Sequence, residues 1–413
     1  MNKKAKKKSV NIRNYSPLII TIIIILAILL TAAGIALYYF NFRPEVRIQN
    51  LANEITKEKL EKSLVDGADW LLRMQEDTGR FQYWYDPKKE VFSKKTDDNF
   101  LRQAGTAFSM SLAYEYTGNK SYLDAVKKSI NYLIQFKKTL NEDKAYFFFN
   151  KKAKLGGIAL PMLSMLKLKS LLETKEYDII LKQSAKMIMY LQELYNTGQF
   201  KSTYVYRGDY NHEKTKGWES RIYPGEALYA LAMMYKAFGD HAYKQSFDWA
   251  MDFYWKNSSE WNSAAFLPWT ITASSFMYEL TSELKYFQYA IFLADTLLTI
   301  QKTDIKDPEI GGFHQKASAN TGSYMEGIAD AIKILRLGND QYRLERYILN
   351  SKLAYRWLIQ LQMKNQDVKG LKYPDRALGG IRYSFDDWQL RIDNTQHTIS
   401  AIKKGLDHIY NYK

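Results

Sequence analysis

A pattern that returns about every 60 residues constrains this chain more than any other feature. Each return has an amphipathic segment closing on an aliphatic, often Gln-containing turn, then a Gly and aromatic loop, then a segment rich in small and apolar residues. The first segments close at Gln75, Gln135, Gln192, Trp255, Gln301 and Gln362. The loops follow as Gly79-Arg80-Phe81, Ala145-Tyr146-Phe147, Gly198-Gln199-Phe200, Ala265-Phe266-Leu267, Gly311-Gly312-Phe313 and Gly379-Gly380-Ile381. The second segments start near Asn99, Gly157, Pro224, Trp269, Ser323 and Asn394. Six units of this kind predict an all-α chain, an (α/α)6 toroid of six helical hairpins. The first helices, charged on one face, form the outer ring, and the apolar second helices the inner one. An open solenoid of helix pairs would show a similar period. Six units, the last reaching nearly to the final residue, fit closure better. In a closed ring all inner helices start at one end, so their positive dipole ends and the loops before them surround one mouth.

Ahead of the repeats, residues 17–40 carry no charge and are dominated by Ile, Leu and Ala. That length crosses the roughly 30 Å hydrocarbon core as a helix. Tyr38, Tyr39 and Phe40 close it with an aromatic belt. Six of the chain's basic residues (Lys3, Lys4, Lys6, Lys7, Lys8 and Arg13) precede it with no acid among them. The positive-inside rule then predicts a single-pass membrane protein, its N-terminus cytoplasmic and its large domain extracytoplasmic, at a cell surface or in a periplasm. A cleaved signal peptide competes, since Thr31-Ala32-Ala33 offers small residues, but the apolar run exceeds a typical signal core. The expected layout is a basic tail at 1–16, a transmembrane helix at 17–40, a linker at 41–56 and the toroid at 57–413.

Composition removes several function classes. With no cysteine there is no disulfide framework, thiolate metal site or cysteine nucleophile. The five histidines are scattered along the chain without metal spacing, so neither a metal nor a cofactor is implied. Phosphate-loop and nucleophile-elbow motifs are missing. The net charge of +15 favours acidic partners, yet no helix concentrates it into a nucleic-acid stripe.

Polar residues gather where the inner helices start. Unit one offers Asp98 and Arg102, unit three Trp218, Glu219, Arg221, Tyr223 and Glu226. Unit four adds Trp269, unit five Tyr324 and Glu326, and unit six Arg382, Tyr383, Arg391, Asp393 and His397. Aromatic rings offer apolar faces to sugar C–H groups, while sugar hydroxyls need the carboxylates and guanidinium groups nearby. In Ser220-Arg221-Ile222-Tyr223-Pro224-Gly225-Glu226, Pro224 suits the first helical position and sets Glu226 at the mouth. There Glu226 either complements the helix dipole or serves as an acid or base, paired with Asp98, Glu326 or Asp393. Asp393 or Asn394 either caps the last helix or joins that chemistry, and His397 is either an internal histidine or a proton carrier. Arg382 beside Tyr383 suits a uronic carboxylate and its C5 proton.

Gln75-x-x-x-Gly79-x-Phe81 resembles the Gln and aromatic repeat of terpenoid cyclases, without the Asp-rich motif of the hopene cyclases. The six-hairpin pattern is more similar to carbohydrate-active toroids: glycoside hydrolases, polysaccharide lyases and the C-terminal domain of D-glucuronyl C5-epimerases. Arg391-x-Asp393-x-Thr395-x-His397 resembles the Arg-Asp-Thr-His tail of those epimerases, with the histidine spacing one residue short. The resemblance implies a polysaccharide or oligosaccharide substrate, acidic ones included. The leading expectation is a glycoside hydrolase using Glu226, Asp98, Asp393, Glu326, Tyr223 and His397. A uronate epimerase or lyase and a non-catalytic glycan-binding or assembly component are the alternatives; no protein partner is indicated.

Overall fold

The computed structural model describes residues 17–172, 175–208, 219–314 and 316–412. The basic tail at 1–16 and Trp218 lie outside the described residues. The chain divides into two compact units, Met1–Leu51 and Ala52–Lys413.

In the first unit, helix α1 (Pro17–Phe42) contains the apolar stretch Ile19–Tyr39, long and apolar enough to cross a membrane. Helix α2 (Pro44–Asn53) follows, so much of the stretch expected as a linker is helical.

The second unit has two concentric rings. The outer helices are α3 (Lys57–Arg73), α5 (Lys120–Ile134), α8 (Lys175–Glu193), α10 (His241–Lys256), α12 (Leu284–Leu298) and α14 (Gln341–Leu361). The inner helices are α4 (Phe100–Thr117), α6 (Leu155–Lys167), α9 (Tyr223–Phe238), α11 (Leu267–Thr281), α13 (Ser318–Leu337) and α17 (Ile392–Gly405). One-turn helices α7 (Lys169–Leu172), α15 (Asn365–Val368) and α16 (Pro374–Ala377) lie in connections. Each inner helix packs on its neighbours in the ring, and α17 returns to pack on α4 and α3. The toroid is closed.

Burial separates the rings. Outer α10 buries Tyr243, Ser246, Phe247, Ala250, Met251 and Tyr254, the spacing of one helical face. Inner α17 is buried along its whole length, Lys403 and Lys404 included. Those two lysines close the end away from the mouth. Lys404 Nζ lies 2.5 Å from Asp330 Oδ2, and Lys403 Nζ lies 2.7 Å from Glu115 Oε2.

The tight connections join an inner helix to the next outer one. Gly118, Gly239 and Ser282 take left-handed conformations as C-caps, and Asn119 and Asp240 cap the helices that follow. The longer loops run from outer to inner helices, at the mouth, where short antiparallel strands organise them. Strands β1 (Trp84–Asp86), β2 (Val91–Phe92) and β7 (Leu390–Arg391) form one sheet in the order β2-β1-β7, tying the first loop to the last. Strands β3 (Lys137–Leu140) and β4 (Lys144–Phe147) pair together, as do β5 (Ala153–Lys154) and β6 (Thr203–Val205).

The recurring glutamines have a common task. Gln75 Nε2 donates to Gly79 O at 3.2 Å and to Ala125 O, on the next outer helix, at 2.8 Å. Gln192 does the same to Gly198 and Ser246, and Gln301 to Gly311 and Asn350. Gln362 completes the circle by bonding Gly379 O at 3.1 Å and Ser63 O at 2.9 Å. The glycines let the loop touch the neighbouring helix. A Cβ on Gly379, where φ is +85°, would stand 2.2 Å from Asp66 O.

Candidate functional site

Pro224 opens α9 and sets Glu226 in its first turn, at the mouth. The side chain is only 4% exposed, and Oε2 has no hydrogen-bond partner among the described residues. It lies against the first turn of α6, where Gly156 leaves room for it. Burial pushes its pKa up to about 8; Arg102 and Lys154 oppose the rise, and Glu326 adds to it. Glu226 is therefore a neutral carboxylic acid at neutral pH.

Asp393 has the opposite character. It sits in the first turn of α17, fully buried. Arg391 grips it with two bonds, Nε donating to Oδ1 at 2.8 Å and Nη2 to Oδ2. Arg102 Nε lies 3.2 Å from Oδ2. Burial alone would raise this carboxyl, but Arg102, Arg391 and His397 hold it below the usual range. It is an anion.

One turn further along α17, His397 Nδ1 lies 3.2 and 3.3 Å from the two carboxylate oxygens of Glu326, on α13. Its Nε2 is 3.4 Å from the Gln396 amide nitrogen. Thr106 Oγ1 stands 2.7 Å from both Gln396 Oε1 and Arg102 O, and its single hydrogen serves one of the two. The two Glu326 oxygens facing Nδ1 orient the ring, and Nε2 is its other polar edge, beside Gln396.

These groups surround one cavity of about 210 Å³, lined by Arg102, Glu226, Trp269, Tyr324, Asp393 and His397 among others. Glu326 reaches it through His397. Arg391 and Tyr383 line it too, and Tyr383 is held there because Ser318 bonds the backbone of Arg382 and Tyr383. A smaller extension of about 80 Å³ runs past Tyr223, Lys154 and Gln396 while sharing Glu226 and Arg102. Burial first, then the Glu226 charge, pushes the Tyr223 phenol up to about 12.

Other expected residues lie elsewhere. Asp98 accepts from Arg80 Nε at 3.0 Å, Gln103 Nε2 at 2.7 Å and its neighbour's amide, and borders a separate branch. Glu219 bonds Tyr195 and the Ser202 amide. Arg221 is exposed, bonds Glu260 O and stands over the Trp261 ring. Arg382 donates to Gln360 O at 2.9 Å and lies over Trp388. Sequence reasoning missed Lys154 and Gly156. Two adjacent glycines opening an inner helix, Gly156 and Gly157, were the available signal for a close approach.

No family model matches the sequence. No curated protein matches it either. Solved structures do. A sugar epimerase from a ruminal bacterium superposes with a TM-score of 0.61 at 13% identity, covering 85% of this chain and 99% of its own. The α-1,6-mannanase of Salegentibacter sp. gives 0.59 at 11%, covering 84% and 98%. The unsaturated glucuronyl hydrolase of Bacillus sp. gives 0.59 at 13%, covering 85% and 97%. The chain has the fold of toroidal carbohydrate-active enzymes. Identities this low establish the fold, and the chemistry rests on the cavity itself.

Proposed function

We propose that the chain is a membrane-anchored extracytoplasmic enzyme that hydrolyses glycosidic bonds in a polysaccharide or oligosaccharide, with Glu226 as its general acid. The observation that carries this reading is the neutral Glu226 carboxyl, its Oε2 buried against Gly156 without a hydrogen bond, on a residue lining a cavity that also holds ionised Asp393. A proton donor kept neutral beside a separate proton acceptor is what acid-assisted glycosidic cleavage requires, and the anion Asp393 holds the arginines around them.

In this mechanism Glu226 gives its proton to the glycosidic oxygen as the C–O bond breaks. Water attacks the anomeric carbon, and its proton passes to His397 Nε2, whose Nδ1–H is oriented by Glu326. Asp393 acts as a positioning residue, fixing Arg102 and Arg391 around the sugar. Trp269, Tyr324 and Tyr383 supply faces for its C–H groups. Toroidal neighbours give the substrate class some support, since a variant of the mannanase holds α-1,6-mannotriose.

The His397–Glu326 pair supports a second reading, in which the same base takes a proton from a sugar carbon and epimerisation or elimination follows. Incubating the full-length protein with neutral and uronic polysaccharides in deuterated water separates these. New reducing ends without carbon-bound deuterium support hydrolysis. Deuterium at a ring carbon, or unsaturated ends, replaces it with the second reading, and glycan binding with no change in product sinks both.

The anchor belongs to the same proposal. The 21 residues of Ile19–Tyr39 rise about 30 Å as a helix, and the basic residues before them support a cytoplasmic N-terminus. Residues 1–16, 17–40, 41–56 and 57–413 are then tail, span, linker and catalytic toroid. Protease added outside intact cells should digest the toroid; full protection would overturn that orientation.

A further inference from the structure

Lys154 connects the extension beside Glu226 to a branch of about 130 Å³. One wall of the branch is aromatic. Phe100 stacks on Phe147 at 5.6 Å between ring centroids, and Phe149 stands 5.8 Å from Phe100. Another part is basic, with Lys152 and Lys154 both lining it, and the Asp98 carboxylate on the same branch is paired with Arg80.

Lys154 is built into the site rather than left on the surface. Its backbone pairs with β6 through the β5 strand, and it precedes the first turn of α6. The side chain is half-buried and its Nζ lies 5.7 Å from the centre of the Tyr223 ring. Among the described residues it makes no ion pair. Arg102 is committed to Asp393, and the carboxyl that lines the extension together with Lys154 is Glu226, which burial pushes up to about 8. Burial, then repulsion from Arg102, pulls the Lys154 pKa down against a smaller upward pull from Glu226. A partly desolvated ammonium of this kind costs free energy that an incoming anion recovers.

We propose that this branch is a subsite for an anionic sugar substituent, the carboxylate of a hexuronate unit, seated on Lys154 beside the Phe100 and Phe147 wall and next to Glu226. The inference rests on the cavity being a glycan site, and it narrows the substrate to an acidic glycan. The ring bearing the carboxylate lies on the aromatic wall, while the glycosidic oxygen one linkage away meets Glu226.

The test is equilibrium binding to full-length protein in detergent micelles, with Glu226→Gln present to stop turnover. The probes are tri-galacturonate, the same trisaccharide with its carboxyls reduced to alcohols, and a trisaccharide carrying phosphate monoesters. The uronate should bind about tenfold or more tighter than its reduced form. Lys154→Met should erase that difference, Lys154→Arg should keep most of it, and added salt should weaken the uronate alone. Equal binding of the reduced sugar, or unchanged uronate binding by Lys154→Met, overturns the subsite. Preference for the phosphate ester overturns the carboxylate assignment. If the subsite fails while wild-type protein still cleaves glycans and Glu226→Gln does not, the acid assignment stands. If no glycan is bound or cleaved, both fall.

Discussion

Glu226 keeps its carboxyl in the space that Gly156 leaves open: a Cβ on Gly156 would stand 2.0 Å from Glu226 Oε2. The acid on one inner helix and the missing side chain on another are halves of one arrangement. Gly156→Ala should push the carboxyl out of its seat and lower glycan turnover by about a hundredfold or more, while the inner ring stays folded. Turnover with substrate panels, beside a circular-dichroism melt, checks this; full activity in a folded Gly156→Ala protein would remove Glu226 from the mechanism.

A second prediction follows from protonation. Folding raises the Glu226 pKa from 4.5 to about 8, so the native state binds a proton that the unfolded chain releases between those values. Its contribution to stability is complete below 4.5 and is lost as pH rises to about 8. The slope is at most about 1.4 kcal/mol per pH unit. Glu226→Gln should therefore gain stability relative to wild type across that window, measured by denaturant titration at several pH values. Parallel curves would argue against a buried neutral acid.

Asp393 should behave as a structural anion. Asp393→Asn leaves Arg102 and Arg391 without their shared partner, and breaking a buried pair costs about 3 kcal/mol or more. Chemical denaturation of the variant measures the loss. A change below about 0.5 kcal/mol would mean that the arginines find other partners.

Ring closure makes its own prediction. Gly379→Ala puts a Cβ against Asp66 O in a left-handed conformation, at the joint where Gln362 staples α14 to α3. The cost should be about 2 kcal/mol or more, seen as a lower melting temperature. An exposed substitution such as Tyr342→Ser should cost far less.

Much of this fold was legible because the repeat serves the backbone. Gln75, Gln192, Gln301 and Gln362 recur since each clamps its own loop and the next outer helix, a task any closed ring of hairpins repeats. The site was partly legible for a related reason: helix starts face the mouth by topology, so Glu226, Asp393, His397 and Arg102 meet at one cavity. Asp98 has the same placement but is captured by Arg80 and Gln103, a matter of local contacts that spacing does not encode. Arg382 likewise turns to the carbonyls of Gln360 and Leu361. Lys154 carries no signature at all, because a single lysine before two glycines gains its meaning only when α9 brings Glu226 beside it.

Infrared difference spectroscopy between wild type and Glu226→Gln reads the protonation of the carboxyl at the mouth itself. A protonated-carboxyl band should be present at neutral pH in the wild type and disappear as pH rises through about 8. A band already gone at neutral pH, having titrated near 4.5, would mean an ionised carboxylate at the mouth and no general acid in Glu226.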